Sequence, residues 1–288
     1  MCKRSIFLIV LIFLIFSCGS SPNKEESFQF RIENNNYWTN IAKAEQIFII
    51  NLSDILKQAL TLNKYNEYDI SIVKNLKGIN VERIKFKIYM KEDNYNYIIS
   101  LKENEKVIVF TSSVNDGYGN NNYLSDYYIE NSILKYSTET EKVIIKEIGL
   151  QDNIIQNKLY ENFNIDKRSY NRVNNTINNM TNFLFQKRSF KNLEKMGESG
   201  VPYIILLMDN FKNLPIESIT LKNNFTNAFE ANREYSPKLV IDALAAILNQ
   251  ITGESFGFIY NGDSTQEERI LTLNGWRIYL YKLIQNEK

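Results

Sequence analysis

The chain predicts an α+β N-terminal domain over residues 28–150, a helix packed on an antiparallel sheet, followed by an all-helical domain over residues 151–288. Three observations carry this. The stretch VERIKFKIYM alternates Ile84, Phe86, Ile88 and Met90 with Lys85, Lys87 and Tyr89, the period-two pattern of a half-buried strand. The links KEDN, KENE and TET between strand-like runs are far shorter than the dozen or so residues of a parallel crossover, so neighbouring strands pair antiparallel. Beyond Gly149 the apolar residues return every three or four positions instead.

In chain order, residues 1–17 read as an export leader. Lys3 and Arg4 precede an apolar run from Ser5 to Phe16, which as a helix spans about 18 Å. That is too short for a hydrocarbon core of about 30 Å. The segment Ile15-Phe16-Ser17-Cys18 resembles the lipobox of bacterial lipoproteins, an aliphatic residue at minus three and a small one at minus one before the acylated cysteine. The resemblance implies lipidation of Cys18 and anchoring to a bacterial membrane, inner or outer, without a spanning helix. Cys2 lies in the leader, so the remaining chain holds no disulfide. Residues 18–27, with the polar stretch GSSPNKEES, read as a flexible tether.

From Trp38 to about Leu62, apolar residues including Ile41, Phe48, Leu52, Ile55 and Leu56 recur at helical spacing and predict one amphipathic helix. Besides VERIKFKIYM, strands are expected at Tyr68–Lys74, Tyr95–Leu101, Lys106–Ser112, Asp126–Tyr136 and Glu141–Ile148. The long link at 115–126, NDGYGNNNYLSD, projects from the sheet. Its tyrosines Tyr118 and Tyr123, with Tyr127 and Tyr128 just beyond, are candidate ligand-stacking residues.

In the helical half, Ile154, Ile155, Leu159 and Phe163, then Val173, Ile177, Met180, Phe183 and Leu184, mark buried stripes. A helix is expected to end near Met196, with GESG turning the chain and Pro202 early in the next helix. Gly197, Val201, Pro202, Ile205, Leu206 and Leu207 here resemble a HEAT-type repeat, which implies stacked helix pairs. SPKLVIDALAAILNQ predicts another helix with Ser236 as N-cap. Gly253 stands where a left-handed C-cap is wanted, with Phe256 and Phe258 placed to fold back.

The following GFIYNGDS falls one residue short of a phosphate loop and has Asp263 where that loop needs lysine, so it reads as a helix-to-helix connector. The last helix opens with Ser264 three residues before Glu267, the capping-box spacing, and buries Ile270, Leu273, Trp276 and Leu280. The set Thr252, Gly253, Phe256, Gly257 and Trp276 resembles the closing unit of some bacterial HEAT-like proteins of unassigned function.

Composition narrows the chemistry. With no histidine anywhere, Ser-His-Asp triads and histidine-ligated zinc are excluded. Net charge is +1 and no dense Lys/Arg block appears, which argues against nucleic acid or anionic lipid heads as partners. The Ser-x-x-K matches at Ser21, Ser71 and Ser132 lack a K-T-G companion, and acidic pairs such as Glu267 with Glu268 read as solvated. No cofactor, metal or nucleotide is implied.

The expected function is therefore non-catalytic: a lipid-anchored interaction module binding another envelope protein through its helical surface. That reading expects an exposed apolar patch there and no deep pocket. The alternative is a glycan or small-ligand binder using the 115–126 loop, with a pocket of several hundred Å³ beside it. An envelope enzyme would need two converging carboxylates.

Overall fold

A computed structural model describes residues 37–58, 61–115, 120–125, 129–223 and 231–286, and in its first half the sheet closes on itself. Strands β1 (Gln46–Asn51), β2 (Lys64–Lys77), β3 (Arg83–Met90), β4 (Lys106–Asn115) and β5 (Asn120–Leu124) run β1-β2-β3-β5-β4, and β4 returns to pair with β1. All pairs are antiparallel except β3 with β5, which meet in parallel at Lys87 and Tyr123. The result is a closed five-stranded Greek-key barrel, the arrangement used by OB-type barrels, in place of the expected helix on an open sheet. Strand β6 (Ile133–Lys135) extends the pairing along β4.

β1 explains much of the difference. The expected helix from Trp38 is only α1 (Trp38–Lys43) and, beyond β1, α2 (Leu52–Leu56). In between, QIFIIN sends Phe48 and Ile50 into the barrel interior with Tyr68, Phe86 and Val109. Ile47 and Ile49 point the other way, into a second core with Ile41, Ile108, Phe110 and Ile144. A strand buried on both faces reads as a continuous apolar run, which a helical template also fits.

Two expected strands are helices. Tyr95–Leu101 lies in α3 (Glu92–Ser100), between β3 and β4, with Glu92 and Asp93 in its first turn. Glu141–Ile148 lies in α5 (Thr138–Gln156), where the Ser137 side chain accepts the Thr140 N–H at 3.0 Å and Glu139 and Glu141 occupy the first turn. Of the expected strand 126–136, the described part is α4 (Ile129–Ser132) followed by β6.

The second half is helical, as expected in outline: α6 (Lys167–Asn178), α7 (Gln186–Met196), α8 (Val201–Leu206), α9 (Val240–Thr252) and α10 (Gln266–Asn286). A hairpin of β7 (Ile219–Lys222) and β8 (Asn232–Tyr235) interrupts them. α9 is the central helix, buried at eleven of its positions. Gly253 ends it at φ 75°, the left-handed cap the sequence called for. Its N-cap is Leu239 rather than Ser236, because the Asp242 carboxylate accepts the N–H groups of Lys238 and Leu239. Phe183 and Leu184, expected on a buried stripe, stand exposed at the α6–α7 turn. Among the described residues no helix is long and apolar enough to cross a membrane.

Candidate functional site

A cleft of about 490 Å³ opens between the barrel rim and the connector from α9 to α10. On the barrel side it is lined by Lys43, by Ser112 and Ser113 of β4, by Leu124 of β5 and by Ser125 just beyond it. On the other it is lined by residues of GFIYNGDS together with Glu268 and Thr272 of α10.

The connector is fixed by one buried guanidinium. Arg269 donates through Nε to Asp242 Oδ1 at 2.7 Å and through one Nη to Asp242 Oδ2 at 3.0 Å. The same guanidinium also donates to the carbonyls of Gly262, at 3.1 Å, and of Ser264. Both carboxylate oxygens and two loop carbonyls are thus satisfied by one planar donor, the condition under which a buried ion pair is tolerated. Gly257 then lies so close to α10 that a Cβ there would sit 2.1 Å from Thr272 Oγ1, so the strap is drawn flat against the helix. Thr265 and Glu268 cap α10: the Thr265 N–H donates to Glu268 Oε2 at 2.7 Å and the Glu268 N–H to Thr265 Oγ1 at 3.2 Å. The capping box falls one residue after the expected Ser264–Glu267 pair.

The two phenylalanines of the connector divide. Phe256 is buried, and its ring packs against Trp276 of the following helix α10 at 5.0 Å between ring centroids, where the sequence reading has it folding back on the preceding helix. Phe258 instead stands 67 % exposed at the cleft. Beneath it Tyr260 is buried, sharing a hydrogen bond of 2.5 Å with Ser255, and burial pushes its phenol far above the usual range. Across the cleft the Ser113 N–H donates to Glu45 at 3.0 Å, and Ser112 Oγ donates to the Lys43 carbonyl at 2.7 Å, which fixes the rim of β4.

A second feature lies on the outer face of the barrel. Tyr65 of β2 packs edge-on against Tyr89 of β3 at 5.1 Å and against Tyr123 of β5 at 5.5 Å, with Lys87 Nζ 5.7 Å from the Tyr123 ring centre. Tyr65 is 58 % and Tyr89 43 % exposed. Charged residues flank them: Glu67 faces Lys87 and Asp69 faces Lys85 in register, and Arg83 Nε donates to Asp69 at 3.0 Å. β5 serves both features, since Tyr123 belongs to the tyrosine cluster while Leu124 lines the cleft.

Of the tyrosines singled out in the sequence, Tyr123 is therefore placed in an aromatic cluster. Tyr118, Tyr127 and Tyr128 lie outside the described residues, as does Cys18. Sequence reading missed Tyr65 and Tyr89; the outward phase of Tyr89 in VERIKFKIYM was the available signal. Ser71 accepts from Arg83 and Lys74 pairs with Glu141, so that Ser-x-x-K match makes no Ser–Lys pair. No cluster of metal-ligating side chains occurs among the described residues. No protein-family model matches the chain, and comparison with curated proteins and with solved structures finds no match either.

Proposed function

We propose that this is a non-catalytic binding protein, held at a bacterial membrane by a lipid on Cys18, that receives a saccharide in the cleft between barrel and connector. The observation that carries the reading is the cleft itself. It has the size of small-molecule sites and combines an apolar wall with a few convergent polar groups. Phe258 offers an exposed ring for the C–H face of a sugar, and the Asn261 side-chain amide and the serine hydroxyl oxygens line the same cleft as polar groups suited to vicinal hydroxyls.

The carboxylates of the cleft support binding rather than acid–base work. Asp263 Oδ1 accepts from Lys238 Nζ at 2.6 Å, and Glu268 is engaged in the cap of α10. The tyrosine face suits the same ligand class, because the exposed rings of Tyr65 and Tyr89 offer faces for sugar C–H groups.

The test is titration of a saccharide panel followed by calorimetry or ligand-observed NMR, with Phe258→Ala and Tyr65→Ala compared. Loss of one aromatic stacking partner should weaken binding by up to about tenfold for Phe258→Ala. Binding lost only in Tyr65→Ala would move the site to the tyrosine face. Saccharide binding undetectable in the unaltered protein would sink the proposal.

A further inference from the structure

The hairpin of α6 and α7 presents a surface that the cleft reading does not use. Its inner face is buried through Val173, Ile177, Met180, Phe190 and Leu193. At the turn between the helices, Phe183, Leu184 and Phe185 are 74 %, 81 % and 48 % exposed. Three consecutive large apolar side chains in water are unfavourable by the free energy of hydrating that area, with no gain to the fold. The turn holds them out in a defined geometry: the Leu184 N–H donates to Asn182 Oδ1 at 2.9 Å, and the N–H groups of Phe185 and Gln186 donate to the Asn182 carbonyl at 3.0 and 2.9 Å.

The electrostatic setting is one-sided. Between Asp166 and Glu194 the sequence has no acidic residue, but it has Lys167, Arg168, Arg172, Lys187, Arg188 and Lys191. All six are exposed, and Lys187, Arg188 and Lys191 lie within two turns of the tip. The rest of the chain is acidic enough to bring the net charge to +1, so this hairpin is a local positive field on a nearly neutral protein.

An apolar tip flanked by Lys187, Arg188 and Lys191 of α7 matches the interface of an anionic bilayer. The Phe and Leu side chains bury at the acyl boundary while the lysine and arginine heads stay at the phosphates. Nucleic acid fits less well, because a phosphate backbone leaves the three apolar side chains with nothing to bury against. We propose that the Phe183–Phe185 tip docks on the surface of an anionic membrane, a contact separate from the lipid anchor and independent of any ligand in the cleft.

The experiment uses the chain from Gly19 onward, which lacks Cys18 but keeps all described residues and their three hydrophobic cores. It is sedimented with vesicles of phosphatidylcholine alone and with vesicles enriched in phosphatidylglycerol. Binding to the anionic vesicles is expected, and the triple variant Phe183→Ser, Leu184→Ser, Phe185→Ser should lower the partition coefficient by about tenfold or more. The variant Lys187→Glu, Arg188→Glu, Lys191→Glu should lose the preference for anionic lipid. Both sets of substitutions are at exposed positions, so thermal melts should match those of the unaltered chain.

Equal partitioning of the serine variant overturns the proposal, as does an unaltered chain that stays in the supernatant. Without vesicle binding, dimerisation that the serine variant abolishes would assign the tip to a second copy instead. Retention on single-stranded DNA without vesicle binding would assign the cations to nucleic acid, and both results reject the membrane reading.

Discussion

Lys77 is half-buried as a residue, yet its ammonium is turned inward and donates to the carbonyls of Ile41 and Ala44, both at 2.6 Å, at the C-terminal end of α1. Helix C-termini leave such carbonyls without partners and favour a cation there. Burial nevertheless lowers the Lys77 pKa from 10.5 to about 8, against the opposing pull of Asp152 and Glu45. Between those two values the unfolded chain carries the proton and the native protein has released it. Because the unfolded state then binds more protons, stability rises with pH through that window. Tyrosines act in the opposite sense at higher pH. Burial pushes Tyr68 up to about 12 and raises Tyr97 and Tyr260, so the fold keeps phenol protons that the unfolded chain gives up above about 10, and stability falls there. Urea midpoints should therefore rise from about pH 8, peak near 10 and decline. Lys77→Met should abolish the rising limb and leave the declining one; an unchanged rise in that variant would show that another group carries it.

At the scale of elements, the docking of the connector on α10 depends on Gly275. A Cβ there would lie 2.4 Å from Phe256 Cβ, while the Phe256 ring packs against Trp276, Tyr279 and Trp38 at 5.0, 6.0 and 6.1 Å. Glycine inside a helix normally loses about 1 kcal/mol relative to alanine. Here Gly275→Ala should destabilise by about 1–3 kcal/mol, because the gain in helix propensity is smaller than the overpacking of Phe256. Chemical unfolding measures the sign directly, and a stabilised Gly275→Ala protein would refute this account of the packing. Gly253, Phe256 and Trp276 were legible in the sequence because caps and helical stripes are local signals. So was β3, whose one buried face leaves clean alternation. β1 was hidden because both its faces are covered, and α5 because VIIKEI within it fits either period, although Ser137 with Glu139 and Glu141 marked a helix start. In the candidate site, Tyr123 and the connector could be found from sequence. The cleft could not, since it is made by residues more than a hundred positions apart, such as Ser113 and Phe258. The α6–α7 cations escaped notice for another reason: they are not dense, and the absence of acids among them is what gives the surface its sign.

Over the whole molecule, each hydrophobic core shares elements with the next. β1 supplies Phe48 and Ile50 to the barrel interior and Ile47 and Ile49 to the second core; β4 does the same with Val107 and Val109 against Ile108 and Phe110. α1 joins that second core to the large helical one, through Ile41 on one side and Ala42 with Trp38 on the other. α5 does likewise with Ile144 and Ile154, and Glu147 on the same helix takes Lys282 of α10 at 2.8 Å. Residues Tyr37–Lys288 form one compact unit on these contacts. Barrel and helices should accordingly unfold together: far-UV circular dichroism, fluorescence of Trp38 and Trp276, and calorimetry should give one coincident transition. Trp38→Ala, which removes the ring stacked on Phe256, should lower that single midpoint by destabilising about 3–5 kcal/mol, without splitting it. A chain ending near Ile165 loses α10 and strips the cover from Trp38 and Ala42, so it should expose apolar surface and bind a hydrophobic dye. Two resolved heat-absorption peaks, or a truncated chain with dispersed amide resonances, would mean that the barrel holds its closure without the helices and that the shared elements are ornaments of the packing, not its condition.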